Sequence, residues 1–311
     1  MTFSFDCQKN QCPKIPDQAS YYLRQLYIYN FTICEGTSKD PQTKDKIFSY
    51  VWLENQYKKG SNQIASALYH RLLNTDLTGV HIIKVAADGC GGQNKNKIVI
   101  GMLNKFLAQD APQSVKKVVL IFPVVGHSFI PPDKVFGRME GKIKKHTTLL
   151  TDKEYIEIFK SCATVIRLGQ ECSMLDWKEA VSATLRELKD WHFRLRPTKR
   201  ILIIKTKQGN LKLRGETNYN FDSGVGKSIN KLGKQLSTLN PKPVKEDVPI
   251  KKLKLKDLNT LLAKHFTKEW ENNQDLTFFK NLFDQQKALS DPQDNESDIG
   301  EIDDTNEELA I

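Results

Sequence analysis

The sequence lacks any long apolar run. No hydrophobic stretch approaches the roughly 20 residues that a membrane-spanning helix needs, and the start has neither the basic residues nor the apolar segment of a secretory signal. Cysteine is scarce: six in 311 residues are too few and too scattered for a disulfide framework. These absences exclude disulfide-stapled and membrane-spanning classes. We therefore expect an intracellular protein with reduced cysteines and no membrane partner.

Several familiar catalytic patterns are also missing. Ser223–Ser228 resembles a phosphate-binding loop, but Phe221 stands where its first glycine belongs, and no clear strand precedes it. Cys7 and Cys12 have no second Cys or His pair at zinc spacing. No Gly-x-Ser-x-Gly elbow occurs. The sequence therefore predicts no P-loop, no structural zinc site and no esterase-type nucleophile.

Positive charge is abundant and unevenly distributed. The formal net charge is +10, but the last 22 residues contain nine acidic and no basic side chains, so the first 289 residues carry +19. Residues 195–264 hold 17 basic and 5 acidic side chains. Such a surface attracts polyanions, and we expect nucleic acid, DNA first, as the partner. The basic residues predicted to contact it are Lys205, Lys207, Lys212, Arg214, Lys227 and Lys231.

The first 145 residues alternate between strand and helix patterns in the order βββαβαβα. A nearly continuous apolar run at 80–87 suits a strand that is covered on both faces. A similar run at 117–125 is followed by a helix that opens at Pro131. This is the order of the ribonuclease H-like α/β fold, a mixed sheet whose last strand lies at an edge. An edge strand would tolerate Pro123.

The remaining chain predicts a basic, mostly helical accessory region at 146–289. Helical patterns cover 150–167 and 174–188, and a short hairpin is expected around Gly209. The acidic segment 290–311 predicts a disordered tail.

Three carboxylates stand at the ends of predicted elements. Asp6 lies near the end of the first strand, Asp88 ends the fourth, and Asp133 lies in the first turn of the third helix. The first and fourth strands of a ribonuclease H-like sheet are parallel neighbours, which would place Asp6 and Asp88 side by side. Mg²⁺ or Mn²⁺ prefers such oxygen ligands and supports phosphodiester chemistry. We predict Asp6, Asp88 and Asp133 as catalytic metal ligands, with Glu140 as the substitute third acid. The alternative is a set of surface acids that happen to end elements.

Three glycines lie between the fourth strand and the second helix. They permit close approach of a ligand, and the amides that open the helix would meet a phosphate. We expect Gly91, Gly92, Asn94 and Lys95 to bind nucleic acid, and His127 to serve as a proton shuttle or phosphate contact. The competing interpretations are an ordinary strand-to-helix turn and a structural histidine.

These motifs resemble those of a large eukaryotic family of uncharacterised proteins. Its members contain a domain of unknown function and look transposon-derived. The resembling segments are Phe5–Lys9, Tyr22–Asn30, Lys59–Ser66, Asp88–Asn96 and Gly126–Gly137. The resemblance implies a ribonuclease H-like fold that keeps its three acids.

The resulting hypothesis is a transposase-derived nuclear protein that cleaves or transfers nucleic-acid strands with a divalent metal. The alternative is a catalytically inactive, domesticated protein with the same fold that binds nucleic acid or another partner. Persistence of all three acids favours the enzyme. Gln63 favours the binding protein, because the family usually has Glu there. The short N-terminus favours it too, since members commonly carry an extension before the first strand.

Overall fold

The computed structural model describes residues 1–15, 23–124, 129–245 and 248–288. Its strands are β1 (Thr2–Cys7), β2 (Ile28–Glu35), β3 (Ile47–Leu53), β4 (Ile82–Ala87), β5 (Lys117–Ile121), β6 (Thr164–Arg167), β7 (Arg200–Lys205) and β8 (Leu211–Glu216). Its α-helices are α1 (Ser61–Leu73), α2 (Lys97–Lys105), α3 (Pro131–Ile143), α4 (Asp152–Lys160), α5 (Trp177–Thr184), α6 (Lys252–Phe266) and α7 (Thr277–Ala288). The predicted order of strands and helices up to α3 is confirmed.

All eight strands form one mixed sheet in the order β6-β3-β2-β1-β4-β5-β7-β8. In its centre, β1 pairs antiparallel with β2 and parallel with β4, and β4 pairs parallel with β5. The apolar run at 80–87 thus forms an interior strand, as its near-continuous hydrophobicity predicts.

The prediction that the strand at 117–125 lies at a sheet edge is wrong. β5 is covered by β7, which pairs with it antiparallel. Pro123 is accommodated in another way, because β5 ends at Ile121 and the proline lies beyond the ladder. One residue beyond β5, the Phe122 amide still donates a hydrogen bond to the Lys199 carbonyl at 2.8 Å.

The second half of the chain contributes strands at both ends of the sheet. The helix predicted over 150–167 ends at Lys160, and the following Thr164–Arg167 is β6, which pairs parallel with β3. The predicted hairpin around Gly209 is confirmed: this glycine has φ +83° and connects β7 to β8. The sheet therefore runs across the boundary predicted at 145. The acidic segment 290–311 lies outside the described residues.

Helices cover both faces of the sheet. Alternate residues of β1 and β2, such as Phe5 and Phe31, pack with α1, α2 and α5 on one face. On the other face, β2 and β3 pack with α3, α4, α6 and α7. Within the described residues, no helix has the length and apolarity that crossing a bilayer requires.

Candidate functional site

Asp6 and Asp88 lie at neighbouring strand ends. Phe5 pairs with Ala87 in the parallel register of β1 and β4. Asp6 follows Phe5 and Asp88 follows Ala87, so the two acids lie next to each other at the ends of these strands. Asp6 alternates with the buried Phe5, which places it on the same face of the sheet as Ser4, beneath α3. Asp133 lies in the first turn of that helix. The topology therefore directs all three predicted acids to one end of β1.

The charges of these acids act on one another. Partial burial and the negative charges of Asp88 and Asp133 together raise the pKa of Asp6 from its ordinary value of 3.8 to about 6. Burial is the largest cause, and the hydrogen bond from the Cys7 amide and the charge of Lys59 act in the opposite direction. Of the two candidates for the third acid, it is Asp133 whose charge reaches Asp6. Glu140 lies two turns further along α3.

Each acid uses one oxygen within its own segment. Oδ1 of Asp6 accepts from the Cys7 amide at 2.7 Å, Oδ2 of Asp133 accepts from the Ile130 amide at 2.8 Å, and Oδ1 of Asp88 accepts from the Asn94 amide group. The other oxygen of each carboxylate has no hydrogen bond to a described residue. Carboxylate oxygens of this kind are hard donors, the ligands that Mg²⁺ and Mn²⁺ prefer. Among the described residues, however, no three acidic, Cys or His side chains are arranged closely enough to hold a metal ion.

The glycine-rich segment serves mainly to shape the loop after β4. Asn94 is fully buried and its side chain donates to Asp88, which fixes that carboxylate. Asn96 caps α2, because its Oδ1 accepts from the Ile98 and Val99 amides at 3.0 Å each. Two of the amides that open α2, where a phosphate was expected to bind, therefore donate to the side chain of Asn96 instead.

The space above this loop is open. A Cβ atom added to Gly89 or Gly92 would meet no atom within 4 Å, so packing does not explain either glycine. Gly91 contributes its carbonyl to the Asn96 side chain at 3.0 Å. Lys95 donates to the Arg196 carbonyl at 2.8 Å and lies over the Phe122 ring, and burial lowers its pKa. Lys95 thus ties this loop to the segment before β7.

One residue near the acids was not predicted as part of a site. Lys59 lies two residues before the start of α1, and its charge lowers the pKa of both Asp6 and Cys7. Its ammonium donates to Asn10 Oδ1 at 3.0 Å and to the Gln8 carbonyl at 3.4 Å. The sequence offered only the Lys-Gly-Ser motif of the family resemblance as a signal for it. His127 lies outside the described residues.

The predicted basic residues fall into two groups. Lys205 donates to the Leu107 carbonyl, Lys231 donates to the Ser182 carbonyl, and Arg214 is ion-paired with Glu216 and Asp222, so these three have structural contacts. The exposed members are Lys207, Lys212 and Lys227.

The structure explains why the P-loop-like segment is not a phosphate site. The carboxylate of Glu216, which is buried, accepts hydrogen bonds from the Ser223 amide at 2.8 Å and the Gly224 amide at 3.0 Å. A Cβ on Gly224 would approach the Gly215 carbonyl to 2.6 Å, so the loop requires glycine there. The chain's own carboxylate occupies the amides that would otherwise face an anion.

A family profile shows which protein family the chain belongs to. The profile of a domain of unknown function, DUF7869, matches residues 36–210, which is more than half of the sequence. The chain belongs to the DUF7869 family. The match includes Asp88 and Asp133 and extends past position 145 into β7, while β1 with Asp6 lies before it. No curated protein and no solved structure matches this DUF7869 chain.

We expect the Asp6→Asn variant to be more stable than the wild type at pH 7.5 in metal-free buffer. A folded-state pKa raised to about 6 gives stability that is complete below pH 3.8 and lost as the pH rises through 6. The uncharged side chain of asparagine can still accept the hydrogen bond from the Cys7 backbone amide, and its contribution to stability does not fall as the pH rises. The gain should be about 1–2 kcal/mol, less than the full shift implies because the carboxyl is only partly buried. Urea unfolding at pH 7.5 and pH 4 measures it. An equal gain at both values would contradict the electrostatic cause.

Proposed function

We propose that this protein is a ribonuclease H-like, divalent-metal-dependent enzyme that cleaves or transfers nucleic-acid strands, most simply a transposase-derived nuclease acting on DNA in the nucleus. The carrying observation is that Asp6 and Asp88 follow paired residues at the neighbouring ends of β1 and β4, with Asp133 in the first turn of the helix over that end. The charges of Asp88 and Asp133 help to raise the pKa of Asp6. The strand order β3-β2-β1-β4-β5, with β1 parallel to β4, supports the fold assignment. The transposon origin and the nuclear location rest on the family resemblance alone.

Asp6, Asp88 and Asp133 would hold Mg²⁺ or Mn²⁺. When bound, such ions activate a water or hydroxyl nucleophile and stabilise the leaving oxygen. The chain's other residues prepare the carboxylates. Asn94 holds one oxygen of Asp88, so the remaining oxygen has a restricted orientation. Lys59 lowers the pKa of Asp6 and so increases its ionised fraction at neutral pH.

A cleavage assay tests the proposal. We expect the purified protein to nick or cut an end-labelled duplex of about 30–40 base pairs, roughly three to four helical turns, when Mg²⁺ or Mn²⁺ is added. Excess EDTA should abolish the reaction, and Ca²⁺ should not replace the metal, because it tolerates looser coordination. Cleavage that persists in EDTA, or a complete lack of reaction with single-stranded and duplex DNA and RNA, would contradict the proposal.

A second candidate is a catalytically inactive nucleic-acid-binding protein. The observation that favours it is that no three metal-binding side chains among the described residues form a ready site. This candidate expects binding that depends on salt, with no cleavage and no stabilisation by divalent metal.

A further inference from the structure

A cation-lined cleft lies at the C-terminal end of α3. Its volume is about 500 Å³. Four basic side chains line it: Lys44, Arg138, Lys142 and Lys145. Its described lining contains no Asp or Glu, and none of the four cations has a carboxylate partner within the described residues. None of these residues belongs to the basic set that the sequence suggested.

The polar partners of these cations are neutral. Lys142 donates to the Ser161 hydroxyl at 2.7 Å, and Arg138 approaches the Gln42 carbonyl at 3.5 Å. Cations at the C-terminal end of a helix are favoured by its dipole, which accounts for Lys142 in the last turn and for Lys145 just beyond it. It does not account for Arg138 in the middle of α3, or for Lys44, which comes from the segment before β3. The four like charges are exposed and repel one another only weakly through solvent, and a bound anion would relieve that repulsion.

The solvent-facing side of α3 is also unusually open. Gly137 and Gly141 lie one turn apart on this exposed side, and a Cβ on either would meet no atom within 4 Å. Each glycine costs an exposed helix interior about 1 kcal/mol relative to alanine. Packing gives no compensation here, but the missing side chains let a bulky ligand approach the helix backbone between the cations.

The same helix carries Asp133 in its first turn. From Asp133 to Ile143 the helix rises about 15 Å, which corresponds to roughly four base-pair steps of a duplex. A duplex that follows α3 would span the distance along the helix between the cleft and the acidic site.

We propose that this cleft binds the phosphate backbone of a nucleic-acid duplex that lies along α3. The proposal rests on the proposed function for its substrate and adds the surface that holds it. The cleft lies beside β3 and β6, at the opposite end of the sheet from the hairpin β7–β8. The duplex is thus held on the α3 side, away from the basic residues predicted from composition.

Two charge-matched double variants test the position. Arg138→Glu with Lys142→Glu changes the cleft, and Lys207→Glu with Lys227→Glu makes the same charge change on the hairpin side. We expect fluorescence anisotropy with a labelled 20 base-pair duplex at ~0.1 M salt to show at least a tenfold loss of affinity for the cleft variant and less than threefold for the control. Removal of two phosphate contacts should also reduce the slope of log K against log salt by roughly 2. Unchanged circular dichroism and melting temperature verify that both variants fold.

Equal losses in the two variants, or a loss in the control alone, would overturn the proposal. Inorganic phosphate distinguishes a small-anion site. If millimolar phosphate stabilises the wild type but not the cleft variant, while duplex affinity is the same in both, the cleft binds a free anion and not a duplex. The nuclease proposal can fail separately. If the wild type binds duplex through the cleft but cleaves no nucleic acid, the nuclease activity is contradicted and the binding role of the cleft is supported.

Discussion

Asp88→Asn is expected to abolish cleavage while preserving the fold and the affinity for DNA. Asparagine has the volume of aspartate, and its Oδ1 can still accept from the Asn94 amide group and the Cys90 amide. It removes the anionic oxygen that the metal requires. The rate of metal-dependent cleavage should fall by on the order of 10³-fold or more, as for the loss of an essential catalytic group. The measurement is single-turnover cleavage of a labelled duplex with Mg²⁺ or Mn²⁺.

Thermal unfolding separates metal binding from other effects of this substitution. A ligand present at 100 times its dissociation constant stabilises the folded state by about 2.7 kcal/mol. Wild type should show such a metal-dependent gain, and Asp88→Asn should not. Asp76→Asn is the matched control, since Asp76 is an exposed aspartate that accepts from the Thr78 amide in its own turn. The same metal response in all three proteins, with no cleavage by any of them, would favour the non-catalytic binding protein.

The sequence predicted the part of the fold in which local patterns are strong. The order from β1 to α3 follows from β-rich segments, apolar runs and helical spacing that persist over several residues. β6 was missed because four residues, Thr164–Arg167, carry no periodic signal and become a strand only by pairing with β3. The position of the hairpin beside β5 was missed for a similar reason. Its strands could be recognised locally, but their partner is about 80 residues away in sequence.

The candidate site shows the same limit. Asp6, Asp88 and Asp133 could be grouped because topology directs strand ends and a helix N-terminus to one place. Lys59 had no comparable signal, since its influence on Asp6 depends on how the loop before α1 packs. Asn94 was predicted as a ligand contact, whereas its side chain holds Asp88. Spacing indicates which residues come near one another but not which hydrogen bonds they form.

Glu216→Ala is expected to destabilise the fold strongly. The carboxylate is buried and accepts from the Ser223 and Gly224 amides, and its Oε1 lies 3.2 Å from Arg214 Nε. Removing it leaves the two backbone donors without their acceptor and takes from Arg214 one of its two carboxylate partners, the other being Asp222. Breaking a buried charged pair in this way costs about 3–5 kcal/mol. Urea unfolding followed by tryptophan fluorescence gives the free energy of unfolding.

Two further variants distinguish the buried acceptor from the ion pairs around it. Glu216→Gln keeps an oxygen for the amides and loses only the charge, so its cost should be roughly half that of alanine. Asp222→Ala removes the exposed partner of Arg200 and Arg214 and should cost less than about 1 kcal/mol. If Glu216→Ala costs no more than Asp222→Ala, the carboxylate does not hold the loop.

Glu216 accepts hydrogen bonds from the backbone amides of the P-loop-like segment, so these amides are not free to bind a phosphate. ATP should therefore leave the stability of the wild type unchanged. A clear stabilisation by ATP would show that the loop opens to phosphate.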